Sequence, residues 1–139
     1  MYYEYAFEIP VSTSPTSPAC SEIRVVKGVL ETCSVEFPWG CAGLVGVKVY
    51  HGEQQVIPTN PDGWLRSDNF VVRSEPKFPL AEEPYSLVIY GYNLDTWYDH
   101  TVILRAEVFQ EEEEGGVGGA GMVYPGKEIP VSAWLVSEG

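Results

Sequence analysis

Residues 2–9 alternate with a period of two: Tyr3, Tyr5, Phe7 and Ile9 fall on one side, and Glu4, Ala6 and Glu8 on the other. Successive side chains of an extended chain point to opposite faces, so the pattern predicts a half-buried strand. Pro10 ends it, since proline has no N–H for a ladder. Residues 12–18 read S-T-S-P-T-S-P, an extended tether. From residue 21 onward the same alternation returns in short bursts separated by turn residues. Strands are predicted over 23–26, with Gly28 as a bend within it, and over 29–37, with Val29, Cys33, Val35 and Phe37 on one face. Glu31 falls in register on that face although it is polar. Residues 38–43 (P-W-G-C-A-G) read as a turn, and 44–50 as a strand with Val45, Val47 and Val49 inward and Lys48 outward. A tight turn over 51–54 leads into 55–58, and 59–65 is irregular. Further strands are expected at 70–73, at 85–92 with Leu87 and Ile89 on one face, and at 100–109 with Val102, Leu104, Ala106 and Val108 aligned. Residues 75–84 read as a proline-punctuated connection and 93–99 as a loop.

No stretch carries helical periodicity, and Val, Tyr, Ile, Thr and Trp recur beside Gly and Pro. An all-β chain is predicted, an antiparallel β-sandwich with jelly-roll or Greek-key connections and strand-bearing N- and C-terminal arms. An immunoglobulin-like sandwich is the rival, but its Cys…Trp…Cys spacing is absent. Three parts are expected: 1–20 as an N-terminal strand with its Ser/Pro linker, 21–110 as the sandwich body, and 111–139 as an acidic, Gly-rich hinge with a C-terminal strand arm.

That last part is the least ordinary stretch. Four consecutive glutamates (111–114) run into G-G-V-G-G-A-G, and the apolar segment that follows contains E-I-P-V-S at 128–132, a repeat of 8–12. An arm on such a hinge can pair with its own body or with a neighbour's sheet edge. Ile129, Val131, Trp134, Leu135 and Val136 are the candidate contacts of the C-terminal arm, and Tyr3, Tyr5, Phe7 and Ile9 those of the N-terminal one. The repeat reads either as two tails using one kind of slot or as ordinary strand-end chemistry.

Charge narrows the partners. The net charge of −12 repels phosphates and anionic membrane surfaces, and the eight Lys and Arg are scattered singly, so nucleic-acid and membrane binding are not expected. Met1-Tyr2-Tyr3-Glu4 opens on a polar-aromatic strand rather than a leader, so synthesis in a cytoplasm is expected, with the virion as final location if the protein is viral. No cofactor is expected. Cys20, Cys33 and Cys41 are read as buried or partly buried thiols, with a Cys33–Cys41 disulfide as the alternative, and their spacing does not suit zinc.

Candidate chemistry is sparse. Asp95, Tyr98, Asp99 and His100 are the residues that suggest catalysis, but no nucleophile stands in a recognisable context and no enzyme is expected. Asp95 and Asp99 are read as carboxylates that bond loop backbone. Asp62, Asp95 and Asp99 lack the pattern of a calcium loop. Trp39, Trp64 and Trp97 fall in predicted loops, where they plug an open end, anchor an interface, or stack on sugars.

In architecture, with a sandwich body, strand-bearing tails, strong acidity and no site chemistry, the chain resembles the small jelly-roll structural proteins of tailed bacteriophages, of the capsid decoration or cementing type. The resemblance implies a homo-oligomer, such as a trimer, seated on a major capsid or other lattice protein with its tails holding neighbours. A carbohydrate-binding module using Trp39, Trp64 and Trp97, and a subunit of a non-viral filament, are the alternatives.

Overall fold

The computed structural model describes residues 1–110, which form ten strands and no helix. In chain order they are β1 (Tyr2–Ile9), β2 (Ala19–Arg24), β3 (Gly28–Phe37), β4 (Val45–His51), β5 (Gln54–Ile57), β6 (Leu65–Arg66), β7 (Phe70–Ser74), β8 (Phe78–Leu80), β9 (Ser86–Asn93) and β10 (His100–Phe109). Two antiparallel sheets stack face to face. One runs β1-β10-β3-β7 with β8 also on β3; the other runs β2-β9-β4-β5 with β6 also on β4. If the short β6 and β8 are set aside, the first strand pairs with the last, the second with the seventh, the third with the sixth and the fourth with the fifth. That nested pairing is the jelly-roll order.

Alternation builds the core. Val45, Val47 and Val49 of β4, Leu87 and Ile89 of β9, and Val102, Leu104, Ala106 and Val108 of β10 all point between the sheets and are buried. Each Val, Leu or Ile among them contributes roughly 1.5–3 kcal/mol by leaving water. In β3 the expected face is corrected at its start: Leu30, not Val29, is buried with Cys33, Val35 and Phe37. The pairing shifts there, since Thr32 faces Glu107 and Leu30 faces Val108. Glu31 is therefore the extra residue of a bulge, and one extra residue reverses the parity of what precedes it. Gly28 opens β3 rather than bending the strand before it. The connection over 75–84 also holds a strand, because Phe78–Leu80 pairs with Gly28–Leu30.

The N-terminal segment is an edge strand of its own chain's first sheet, paired with β10 from Tyr2↔Glu107 to Ile9↔His100. Phe7 and Ile9 are buried in the common core. Tyr3 and Tyr5 pack at its margin and reach the other sheet, where the Tyr5 hydroxyl hydrogen-bonds Ser21 (2.7 Å) and the Val26 N–H donates to the Tyr3 hydroxyl (3.0 Å). The two tyrosines thus close the side where the edge strands β1 and β2 lie together. The C-terminal arm residues Ile129, Val131, Trp134, Leu135 and Val136 lie outside the described residues.

Pairing also fixes the two ends of the sandwich. Residues 10–18, 38–44, 67–69 and 94–99 gather at one end; 25–27, 52–53 and 75–85 lie at the other, with Met1 and Phe109.

Candidate functional site

The first end is where large apolar side chains meet water. Trp39 is 80% exposed, Trp97 82% and Tyr98 68%, and Leu44, Phe70 and Leu94 are also exposed. Exposed apolar groups scattered singly are ordinary, but here several stand on adjoining loops. The register brings these loops together. β10 begins at His100 opposite Ile9 and runs antiparallel to β3, which ends at Phe37, so the loop after β3 and the loop before β10 adjoin.

Backbone hydrogen bonds to side chains lock the loops. Asp68 Oδ1 accepts from the N–H groups of Gly40 (2.8 Å) and Ala42 (3.2 Å), fixing the turn that carries Trp39. Gly40 sits at φ +105°, a left-handed conformation that a side chain would strain. Neighbouring loops are tied through Asn69 N–H to Pro38 O (3.2 Å) and Leu94 N–H to Leu44 O (2.9 Å). Asn93, fully buried, makes the central junction: its amide donates to Ile9 O (3.1 Å) and Tyr98 O (3.0 Å), and its Oδ1 accepts from Asp95 N–H (2.9 Å).

Asp95 then sets the Trp97 turn. Its Oδ1 accepts from Trp97 N–H (2.8 Å) and its Oδ2 lies 2.9 Å from His100 Nε2. The Trp97 amide and the His100 hydrogen bond hold this carboxyl below the ordinary 3.8, outweighing the opposing effect of burial. The chain between β1 and β2 is fastened to the same loop, with Val11 N–H donating to Asp99 Oδ1 (2.9 Å) and Ser12 N–H to Asp95 O (3.0 Å). Asp95 and Asp99 thus bond backbone, as their loop position suggests. The site is a hydrogen-bonded frame that ties the loops to one another, with indole and phenol rings exposed.

Nucleophilic chemistry finds little here. His100 is directed at Asp95. Cys41 is free and buried nearby, and burial, with Asp68 and Asp95 adding to it, pushes its thiol up to about 11. A thiol that stays protonated is a poor nucleophile. Cys33 is free too, pushed up to about 12 by burial alone, so the two are not joined in a disulfide. Cys20 departs from the expectation of burial: in β2 it takes the outward parity and is exposed. Among the described residues no group of three or more His, Cys, Asp or Glu could hold a metal ion, and no helix is long and apolar enough to cross a membrane.

The three loop tryptophans part company. Trp64 stands apart from the exposed end, on the outer face of the second sheet, 4.8 Å from the Tyr92 ring in an edge-to-face contact. Lys48 Nζ sits 4.4 Å over its ring and 5.4 Å over Tyr50, and Arg66 Nε donates to the Tyr92 hydroxyl (2.7 Å). Gly46, paired with Tyr92, leaves the room in which that ring lies. Trp64 is therefore structural, with its ring already covered, whereas Trp39 and Trp97 keep open faces. Sequence reasoning did not single out Asp68, Asn93, Leu94 or Phe70. An asparagine at the end of the apolar run Y-G-Y-N, two residues before Asp95, is the signal that was there to read.

Two clefts lie elsewhere. One of 660 Å³ is lined by Met1, Glu31, Glu75, Lys77, Glu107 and Phe109 among others, and a smaller one of 350 Å³ lies by Glu22, Arg24 and Tyr85. In the first, Lys77 is already paired with Glu31 (3.0 Å). Comparisons with protein-family models, with curated proteins and with solved structures found no match to the chain.

Proposed function

We propose that the protein is a non-enzymatic structural assembly subunit, of the kind that decorates or cements a viral capsid, and that it docks through the aromatic end of its sandwich. The observation that carries the reading is the pair Trp39 and Trp97, almost fully exposed on loops that Asp68, Asn93 and Asp95 hold rigid. Rigid tryptophan on a preorganised loop gives much contact area for little lost entropy, which is why such residues dominate protein interfaces. The jelly-roll order adds a fold-level analogy to capsid proteins, and analogy of that kind sets a prior rather than a function.

Self-assembly is the second half of the reading. The free edges of β1 and β2 accept strand pairing, and the acidic, Gly-rich sequence after residue 110 is the arm that would supply it. Light scattering tests this on the full chain beside one ending at Gln110, which retains the whole two-sheet core. A multimer that falls to monomer on truncation is expected; a monomer at every concentration for both lengths would overturn self-assembly. The open faces of Trp39 and Trp97 also suit sugar stacking, and jelly rolls include lectins. Trp64, which a three-tryptophan sugar platform would need, has its ring covered by Lys48 and Tyr92. Retention on a glycan array that disappears in Trp39→Ala would favour the sugar reading over the structural one.

A further inference from the structure

The charge around the aromatic end is one-sided. Residues 10–18, 37–44, 67–69 and 93–101 contain Asp68, Asp95 and Asp99 and not one Lys or Arg. Arg66, next in sequence, is turned to the outer sheet face by its bond to Tyr92. Asp68 and Asp99 each use Oδ1 on backbone N–H groups, and the second oxygen of each has no partner among the described residues. Indole faces and unpartnered carboxylate oxygens are both attractive to cations. An aromatic face draws a guanidinium or ammonium through its quadrupole, and the carboxylates add direct charge.

We propose that the aromatic end binds a basic segment of a different protein, with Arg or Lys side chains laid over Trp39 and Trp97 and paired with Asp68 and Asp99. This rests on the docking reading above and names the chemistry of its partner. A second copy of the chain is a poor occupant. The opposite end, where Met1, Tyr2 and Phe109 also expose apolar surface, has Lys27 and Lys77, but Lys77 is held by Glu31, and Glu53, Glu75, Glu82 and Glu83 outnumber the two lysines, so end-to-end stacking would set one net acidic end against another. Two aromatic ends meeting face to face would do the same. A sugar is served less well, because Trp64 lies away from the other two tryptophans and Asn93 and Asp95 spend their side chains on loop backbone.

The test is a titration of the full-length, nitrogen-15-labelled protein with a tetra-arginine amide peptide, a tetra-glutamate peptide and a neutral glycine-serine peptide. Chitohexaose and cellohexaose are run beside them. Indole N–H signals are read, with Trp64 as the internal reference. Tetra-arginine is expected to move the Trp39 and Trp97 indoles and not Trp64, with an affinity that falls about tenfold in Trp39→Ala or Asp68→Asn/Asp99→Asn. The fold of each variant is checked by its unchanged Trp64 signal. Arginine-induced shifts confined to residues 111–114 would overturn the proposal, as would equal binding by the variants. If the neutral or acidic peptide moves the same indoles as strongly, the charge inference falls while docking stands. If only an oligosaccharide moves them, both fall.

Discussion

Replacing Asn93 is the most direct test of how the exposed end is held. Its side chain makes three hydrogen bonds, to Ile9 O, Tyr98 O and Asp95 N–H, and has no exposed surface. A typical intramolecular hydrogen bond contributes about 1 kcal/mol net, and more when a buried partner is left unsatisfied. Asn93→Ala should therefore destabilise the fold by about 3 kcal/mol. With a urea m-value of about 1.5 kcal/mol per M, the unfolding midpoint should fall by about 2 M. Asn93→Asp separates hydrogen bonding from shape. It keeps the acceptor for Asp95 N–H but turns a carboxylate oxygen toward two carbonyl oxygens, so the ionised form is repelled and the folded-state pKa rises above the unfolded value of about 3.9.

A carboxyl whose pKa is raised on folding favours the folded state below its unfolded pKa and loses that stability as pH climbs through the folded one. The difference in stability between Asn93→Asp and Asn93→Ala should thus move against Asp by about 1.4 kcal/mol per pH unit above pH 4, until the folded pKa is passed. Taking the difference cancels the titration of groups that do not couple to position 93. The assay is urea unfolding from pH 4 to 7, followed by circular dichroism, with amide exchange read at Trp97 and Tyr98. A loss under 1 kcal/mol in Asn93→Ala, or parallel pH profiles for the two variants, would refute the account of Asn93 as the junction of the end.

Three further results are expected. Gly46→Ala would drive a methyl into the Tyr92 ring; it should cost about 1–3 kcal/mol in the wild type and nearly nothing in Tyr92→Ala, and a double-mutant cycle by urea unfolding that shows no coupling would refute the contact. Cys20 alone should react with a thiol reagent in the native protein and all three cysteines in denaturant, since Cys33 and Cys41 are buried; prompt native labelling of a second thiol would show that the core opens. Asp95 is held below the ordinary carboxyl value, so its contribution is present above pH 3.8 and is lost as pH falls through the lower folded value. The Trp97 indole signal should shift with that transition in the wild type and not in Asp95→Asn; identical acid profiles would remove Asp95 as the anchor of the turn.

Strand positions with clean alternation were legible because burial on one face leaves no other reading. The inward valines of β4 and the four aligned residues of β10 show this. Where parity broke, the sequence misled: Glu31 sits in register with Cys33 by counting, and only the pairing of β3 with β10 reveals the bulge that admits Leu30 instead of Val29. Short strands such as Phe78–Leu80 are set by a partner rather than by their own pattern. The loop tryptophans were visible as loop residues, but their fates depend on non-local neighbours. Trp64 is drawn away because Gly46 and Tyr92, 46 positions apart in number from each other, are cross-strand partners. Asp68 reads as a plain polar loop residue until its carboxylate is seen beneath the Trp39 turn.

The N-terminal strand connects the two halves of the functional reading. Ile9 supplies the carbonyl that Asn93 binds, Val11 the amide that Asp99 binds, and Ser12 the amide that bonds Asp95 O. Thr13 adds a reciprocal pair of backbone bonds with Asn93, both 2.9 Å. The loop that displays Trp97 and Tyr98 is therefore fastened, residue by residue, to the segment directly after β1. In the structure this segment belongs to the same chain, so the exposed end is complete within one chain. Were β1 exchanged between chains, the incoming strand would bring the same four residues, and the aromatic end would be fastened only where exchange had occurred. Either arrangement makes the aromatic end depend on β1 being in place. The E-I-P-V-S segment matters for this reason: Ile9, Val11 and Ser12, three of its residues, make the bonds just named, and Ile9 also packs in the core. The second copy at 128–132 keeps those residues but is preceded by Lys127 where the first has the buried Phe7, and by Pro125 where it has Tyr5. Lysine at a core position and proline within the ladder both oppose replacement of β1. Any pairing by the C-terminal arm is thus better directed at a free sheet edge than at the place β1 already fills.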